Sequence, residues 1–450
     1  MTALAFTPAP SLTSHQVLVF LLQLGILLLV ALCLGRLANR FGLPAVVGEL
    51  ATGVLLGPSV FGAVAPGLAG WLLPATAGQA HLLDAVAQFA VLLLVGVAGA
   101  HLDLKLLRRR RGVVVRVGLG SLVIPLALGF ACGWLVPRAL VGEGAQRPAF
   151  ALFLGVALSV SAIPVIAKTL SDLNLLHRDV GQLTLAAAAV DDAVGWFLLS
   201  LVSAMAAGSL GPARVGLAVL YLTGFVAVAA LIGRPLVRRV LRTAARTGDT
   251  GAVSGIVVVV VLLCAAAGQA LALEAVFGAF VAGVLISSAI EARLLAPLRA
   301  VTVTVLAPLF LANAGLRIDL GALRDPAVLL TGVGLLLLAT LGKFAGAYLG
   351  ARSSRLTRWE GLAIGAGLNA RGAVEIVVAS VGLRLGILTT ATYTIVVLIA
   401  VLTSVMAPPL LRWSMKRVEQ NADEHLRAAD AGLLPVPAEP PVGTEPPARP

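Results

Sequence analysis

The sequence predicts an all-α polytopic membrane protein of about thirteen transmembrane helices, arranged as inverted repeats around two broken helices. Three observations carry that prediction. The chain is 59% hydrophobic and only 12% charged over 450 residues, and its mean hydropathy is +1.01, well outside the range of soluble domains. Apolar runs long enough to cross a bilayer recur along its length. Positive charge alternates between the loops that join those runs.

The runs lie near 15–36, 43–63, 82–100, 112–136, 149–172, 180–208, 212–233, 252–271, 273–290, 297–315, 327–351, 359–382 and 389–413. The division within 252–290 is the weakest, because a very short turn separates two spans. Met1 to Ser14 contains no Lys or Arg, and no small-residue cleavage motif follows the first run. That run therefore reads as a span and not as a removed signal, with 1–14 as an extracytoplasmic tail and 15–413 as the membrane domain. Residues 414–450 form a tail whose Pro-rich end, from Ala422, cannot bury enough apolar surface to fold and is expected to be disordered.

Loop charge orients the chain. One alternating set of loops holds eighteen Lys and Arg residues, among them Arg36, Arg40, Lys105, Arg108 to Arg111, Arg178 and the five arginines between 234 and 246. The opposite set holds six: Arg138, Arg147, Arg214, Arg317, Arg324 and Arg384. The bias puts the N-terminus outside and the C-terminus in the cytoplasm. The net charge of +12 is then cytoplasmic-loop charge facing anionic lipid. No nucleic-acid motif accompanies it, and no phosphate-binding glycine loop or dinucleotide fingerprint is present, so nucleic-acid partners, nucleotides and ATP-driven pumping are not expected. Cys33, Cys132 and Cys264 all sit in apolar runs without metal-ligand spacing, which argues against a disulfide framework, a metal centre or any other cofactor.

The chemistry is concentrated in a few polar residues at membrane depth. Asp191 and Asp192 are adjacent in LTLAAAAVDDAVGWFLLSL, residues 183–201. One carboxylate at that depth costs at least ~2.5 kcal/mol, and two neighbours repel each other as well. A span that carries this cost is expected to handle a cation or a proton. The fifth run contains SVSAIPVIAKTL, residues 159–170. Pro164 interrupts the helical ladder there, and Ser159 and Ser161 offer hydroxyls just before it. Freed carbonyls and nearby hydroxyls suit cation coordination.

The twelfth run contains GAGLNARGAVEIVV, residues 365–378, with Asn369, Arg371 and Glu375 among Gly365, Gly367 and Gly372. It is the second candidate break. Arg371 and Glu375 can pair at i, i+4 if the helix is continuous. Glu375 fits an ion pair tying helices together as well as it fits a place in the site. The two broken helices are seven spans apart and enter from opposite sides, the arrangement of secondary transporters with a midplane site. Lys343 lies some eight residues from the cytoplasmic end of the eleventh run, about 12 Å deep. That is too deep for easy snorkelling, and Asp191 is its natural partner. Glu49, within the second run, suits either a gate or a helix-tying role. Gln88, Gln182 and Asn313 read as inter-helix hydrogen bonders, and His81, His101 and His177 as interfacial residues.

These residues resemble the monovalent cation:proton antiporter-2 family of the cation/proton antiporter superfamily. The match rests on LPAVVGELATGVLLGP (43–58), SVSAIPVIAKTLSDLNLL (159–176), AAAVDDAVGWFLL (187–199) and LNARGAVEIVVASVGLRLGIL (368–388), with VLAPLFLANAGLRIDL (305–320) as a weaker fifth motif. The resemblance covers roughly residues 15 to 413. It implies crossed broken helices, a homodimer formed through a separate helical panel, a cell inner membrane location, and exchange of Na⁺ or K⁺ for protons without enzymatic chemistry. By motif position, Asp192 is similar to the family's ion-binding aspartate, and Asp191 to the neighbour that pairs with a lysine, here Lys343. Paired carboxylates with a lysine are the pattern associated with electrogenic exchange. His101 stands where many relatives have a glutamate, and the cytoplasmic domain of many potassium-efflux relatives has no counterpart here. The competing expectation is a sodium-coupled symporter of an organic anion with a similar broken-helix fold. A channel and a membrane hydrolase fit the residues less well.

Overall fold

The structure is a computed structural model, which describes residues 13–74, 77–100, 111–206, 212–246, 249–271, 273–290, 292–420 and 424. In chain order the helices are α1 (Ser14–Arg40), α2 (Ala45–Leu56), α3 (Ala77–Ala100), α4 (Arg111–Leu135), the half-helices α5a (Arg147–Ser159) and α5b (Ile163–Asp172), and α6 (Asp179–Ala206). Then come α7, running from Pro212 through a π-type turn at Ala229–Gly233 to Arg246, α8 (Thr250–Ala270), α9 (Ala275–Ser287) and α10 (Ala296–Gly315). The last are α11 (Pro326–Ser353), the half-helices α12a (Arg358–Leu368) and α12b (Ala373–Arg384), and α13 (Thr390–Met415). Among the described residues, the only β pairing is a single antiparallel bridge between Val141 and Leu388.

Each predicted run coincides with a helix or a pair of half-helices, but the runs do not all make full-length spans. Among the described residues, ten helices are long and apolar enough to cross a bilayer, and the bent α12 pair makes eleven. Runs 149–172 and 273–290 are carried by the shorter apolar helices Arg147–Ser159 and Ala275–Ser287. The second run is one candidate span, Ala45–Val64, made of α2 and, past Gly57 and Pro58, the short helix Phe61–Val64; another short helix, Pro66–Leu72, follows. One boundary differs from expectation. Arg234 to Arg246, expected as a loop from its charge, is helical because Val237, Leu241 and Ala244 recur on one face and are buried.

The packing pattern repeats. α1 packs on α2 as α8 packs on α9; α2 packs on α10 as α9 packs on α3; α4 packs on α5a as α11 packs on α12a; and α4 packs on α11 itself. Each partner is displaced by seven helices, an odd number, so the two halves are inverted relative to each other. The α4–α11 contact lies where the repeats meet. It is close because it is made of glycines: a Cβ on Gly346 would lie 2.1 Å from the Gly120 carbonyl oxygen, and one on Gly350 would lie 2.5 Å from that of Arg116. In lipid, small residues let helices approach until their backbones touch.

α4, α5, α6, α11, α12 and α13, the bundle, supply most of the largest apolar core, which surrounds both breaks and continues into α3, α9 and α10 of the remaining helices, the panel. α7, α8 and α9 share a second core with α3, around Val257, Val261 and Ile286. α1, α3 and α10 share a third, around Leu27, Ala31 and Leu309. Trp196 of α6 meets Phe280 of α9 where bundle and panel touch, with ring centroids 6.4 Å apart.

The close α4–α11 crossing predicts a contrast between two glycines of α11. Gly346→Ala forces a Cβ into backbone and should cost about 1–3 kcal/mol. Gly334→Ala meets nothing within 4 Å and should be neutral, or stabilising by up to about 1 kcal/mol. Thermal unfolding of the purified protein checks both.

Candidate functional site

The site begins with two places where a helix stops at membrane depth. α5a ends at Ser159, and Val160 is extended at φ −68° and ψ 145°. α5b starts at Ile163, so Pro164 occupies its second position. A proline there lacks an N–H that would have no helical partner anyway. It starts the second half-helix and does not kink a continuous one. α12a ends at Leu368, and α12b starts after Gly372, bent from it by 50°. Of the three glycines expected to weaken this helix, only Gly372 lies in the break. Gly365 and Gly367 lie inside α12a and make room for neighbours: a Cβ would stand 3.0 Å from Phe344 Cδ1 and 2.7 Å from Thr184 Cγ2, respectively.

The two breaks cross and bond to each other. The Ala162 amide donates to the Ala370 carbonyl at 3.3 Å, and the Ser161 hydroxyl donates to the Leu368 carbonyl at 3.0 Å. A broken helix leaves carbonyls without partners, which lipid cannot satisfy. At the end of α5a, cations satisfy them. Arg371 donates to the carbonyls of Ala157, at 3.0 Å, and Leu158. Lys343 donates to that of Ser159. This end of a helix carries partial negative charge, so two cations complement it.

Carboxylates then balance the cations. Lys343 Nζ lies 2.6 Å from Asp191 Oδ2, with both side chains fully buried. The same carboxylate accepts from Ser161 Oγ at 3.0 Å and from Ser121 Oγ at 3.1 Å. Arg371 and Glu375 pair at 3.0 Å. They do so across the break, not along a continuous helix, and Glu375 stands in the first turn of α12b, where negative charge is favoured. The Ser404 hydroxyl donates to the Arg371 carbonyl and holds the crossing from α13.

The remaining polar atoms are held differently. Asp192 is buried beside Asp191, yet its Oδ1 has no hydrogen-bond partner. Neither polar atom of the buried Asn369 amide has one, and Glu375 Oε2 also lacks one. A buried polar group left unpaired costs about 1–3 kcal/mol. Asn369 follows Leu368, whose carbonyl shares the Ser161 hydroxyl with Asp191. Carboxylate, amide and backbone oxygens are hard donors suited to alkali cations.

Several expected residues take other positions. The Ser159 hydroxyl bonds back to the Val156 carbonyl at 3.0 Å, and it is the Ser159 carbonyl that meets Lys343. Glu49 lies within a candidate span as expected, as the fifth residue of α2, and it packs against Gly35 of α1. His101 lies outside the described residues. Asn313 bonds between helices as expected of it, donating to Asp84 at 3.3 Å, and Arg317 pairs with the same aspartate. Sequence reasoning missed Ser121 and Ser404. An isolated hydroxyl in the apolar run of α4 was the only available signal for Ser121.

Comparison with known proteins places this arrangement in a family. Residues 25–417 match the family described as sodium/hydrogen exchanger, transmembrane. The chain belongs to this family. Its members are transporters, which agrees with the absence of enzymatic chemistry expected from the sequence. The Na(+)/H(+) antiporter NhaS4 of Synechocystis sp. is 28% identical over 407 residues, covering 88% of this chain and 97% of that protein. Cation/H(+) antiporter 18 of Arabidopsis thaliana is 30% identical over 403 residues, covering 87% of this chain but 48% of its own length. The chain thus spans about half of that plant relative. The sodium proton antiporter MjNhaP1 from Methanocaldococcus jannaschii shares the fold, with a TM-score of 0.68 at 14% identity, over 89% of this chain and 99% of that one.

The geometry predicts strong coupling between Lys343 and Asp191. Lys343→Met leaves a buried carboxylate uncompensated and should cost about 3–5 kcal/mol. Adding Asp191→Asn should recover part of that loss, because the carboxylate that Lys343 balanced is then neutral. A double-mutant cycle read by thermal unfolding checks this. Ser121→Ala, which removes one hydrogen bond to a charged acceptor, should cost about 1.5–3 kcal/mol.

Proposed function

We propose that the protein is a secondary active antiporter that exchanges Na⁺ or K⁺ for protons by competition at Asp192. One observation carries this reading: of two adjacent buried aspartates, Asp191 is engaged by Lys343, Ser161 and Ser121, while Asp192 keeps an unpaired oxygen. Membership of the sodium/hydrogen exchanger family supports it, as do relatives named as antiporters. The family and the relatives named as antiporters do not favour the symporter alternative.

One carboxylate cannot hold a proton and a cation together. Protonation of Asp192 releases the cation to one side, and deprotonation admits another. Asn369, whose amide oxygen has no protein partner, contributes to the cation's oxygen shell. Lys343 holds Asp191 in place, and if Asp191 takes a proton during the cycle, the pair titrates as a unit. Arg371 and Glu375 keep the crossing neutral without binding substrate.

Alternating access follows from movement of the bundle against the panel. Two cavities lie along that boundary. One, of about 290 Å³, opens near His81, Asp84 and Arg317 and runs between α3, α10 and α12b. The other, of about 350 Å³, lies near Asn39, Lys168 and Arg412, at the opposite ends of the helices. Glu274, before α9, bridges to Arg384 of α12b and accepts from Ser203 of α6, both at 2.7 Å, and so ties panel to bundle beside the first cavity. The panel also offers the surface for a homodimer. The excess of loop arginines orients the N-terminus outward and the C-terminus inward in the cell membrane.

In proteoliposomes with an internal pH dye, Na⁺, K⁺ or Li⁺ should trigger proton flux in the wild type. Asp192→Asn should abolish it for every cation, with the protein still folded. The cation active in the wild type identifies the substrate. Flux that persists in Asp192→Asn would remove the proposed mechanism.

A further inference from the structure

We propose that the arginine-lined groove on the second half of α7 binds the phosphate headgroup of an anionic phospholipid. The groove has a volume of about 640 Å³ and is lined by Arg234, Arg238, Arg239, Arg242 and Arg246, with Pro235 and Thr243. None of its lining residues is acidic. Arg234, Arg238 and Arg242 stack at i, i+4 spacing, and like charges at that spacing repel. The groove therefore favours an anion, and guanidinium forks match phosphate oxygens bidentately.

Three features point to a lipid as the source of that phosphate. From Pro212 to Gly233, α7 has 22 residues, a rise of about 33 Å, close to the thickness of the hydrocarbon core. The arginines therefore begin where the headgroups lie. The helix is fixed in place there, because Val237, Leu241 and Ala244 are buried on the face opposite the groove, in the core shared with α8 and α9. Leu231, Ile232, Leu236 and Val240 remain exposed beside the arginines and provide an apolar surface on which acyl chains can lie. A soluble anion would use the charge of the groove alone and none of these three features. α7 also joins the two inverted repeats, so a lipid held on it would brace the panel against which the bundle moves.

The experiment uses full-length purified protein in phosphatidylcholine with phosphatidylglycerol added, and reads the melting temperature together with lipid retention in native mass spectrometry. The wild type should gain several degrees on addition of phosphatidylglycerol and retain that lipid. The triple variant Arg238→Gln, Arg239→Gln, Arg242→Gln should match the wild type in phosphatidylcholine alone but lose both the gain and the retention. Lysine at the same three positions should keep part of each. If the triple glutamine variant does not fold, the single variants Arg239→Gln and Arg242→Gln are read in the same way. A wild-type shift in all glutamine variants would overturn the proposal, because the lipid would then bind elsewhere. An equal shift from inorganic phosphate would also overturn it, because the site would then serve a soluble anion.

Discussion

The three carbonyls at the end of α5a set the terms for the rest of the site. A helix that stops at bilayer depth exposes acceptors that neither water nor lipid can satisfy. Here Arg371 and Lys343 meet the carbonyls of residues 157, 158 and 159. Two buried cations in turn require two carboxylates, and Glu375 and Asp191 take those places. Asp192 is the carboxylate left over. In the proposed mechanism the freedom of Asp192 to exchange ligands follows from the commitment of its neighbour, and the difference between the two aspartates originates in a backbone defect.

The supporting helices hold this balance in register. Lys343 reaches Asp191 because α11 lies against α4 at glycine distance, and the same contact brings Ser121 of α4 to the opposite side of that carboxylate. Serines bridge the remaining gaps: Ser161 joins Asp191 to the end of α12a, and Ser404 holds the Arg371 carbonyl from α13. Hydrogen bonds and two ion pairs join the parts of the crossing to one another. The panel contributes cavities at its boundary and a tie through Glu274, but no charge to the crossing.

Much of this was legible in the sequence, for physical reasons. Charges at bilayer depth are costly enough that Asp191, Asp192, Lys343, Arg371 and Glu375 stand out without any structure, and five of them on three runs imply mutual pairing. The odd separation of the two breaks made the inversion visible. What the sequence hid was decided by three-dimensional packing. Ser121 looks like any hydroxyl in an apolar helix until α11 is placed beside it. Glycines 365 and 367 look like breakers, but they are spaces filled by Phe344 and Thr184. Glu49 suited a gate or a helix-tying role equally, and only the packing places it against Gly35 of α1. The arginines after Gly233 looked like loop charge because charge obscures periodicity, although Val237, Leu241 and Ala244 carry the helical repeat.

The most direct test of the account is proton release on cation binding. Purified protein in weakly buffered detergent solution, with a pH indicator, would receive Na⁺ or K⁺ in the absence of any membrane gradient. Competition for one carboxylate predicts that binding of the transported cation liberates protons, and that raising the pH, which empties Asp192 beforehand, diminishes the release. Saturable cation binding with no proton release at any pH would contradict the account, because cation and proton would then occupy separate groups.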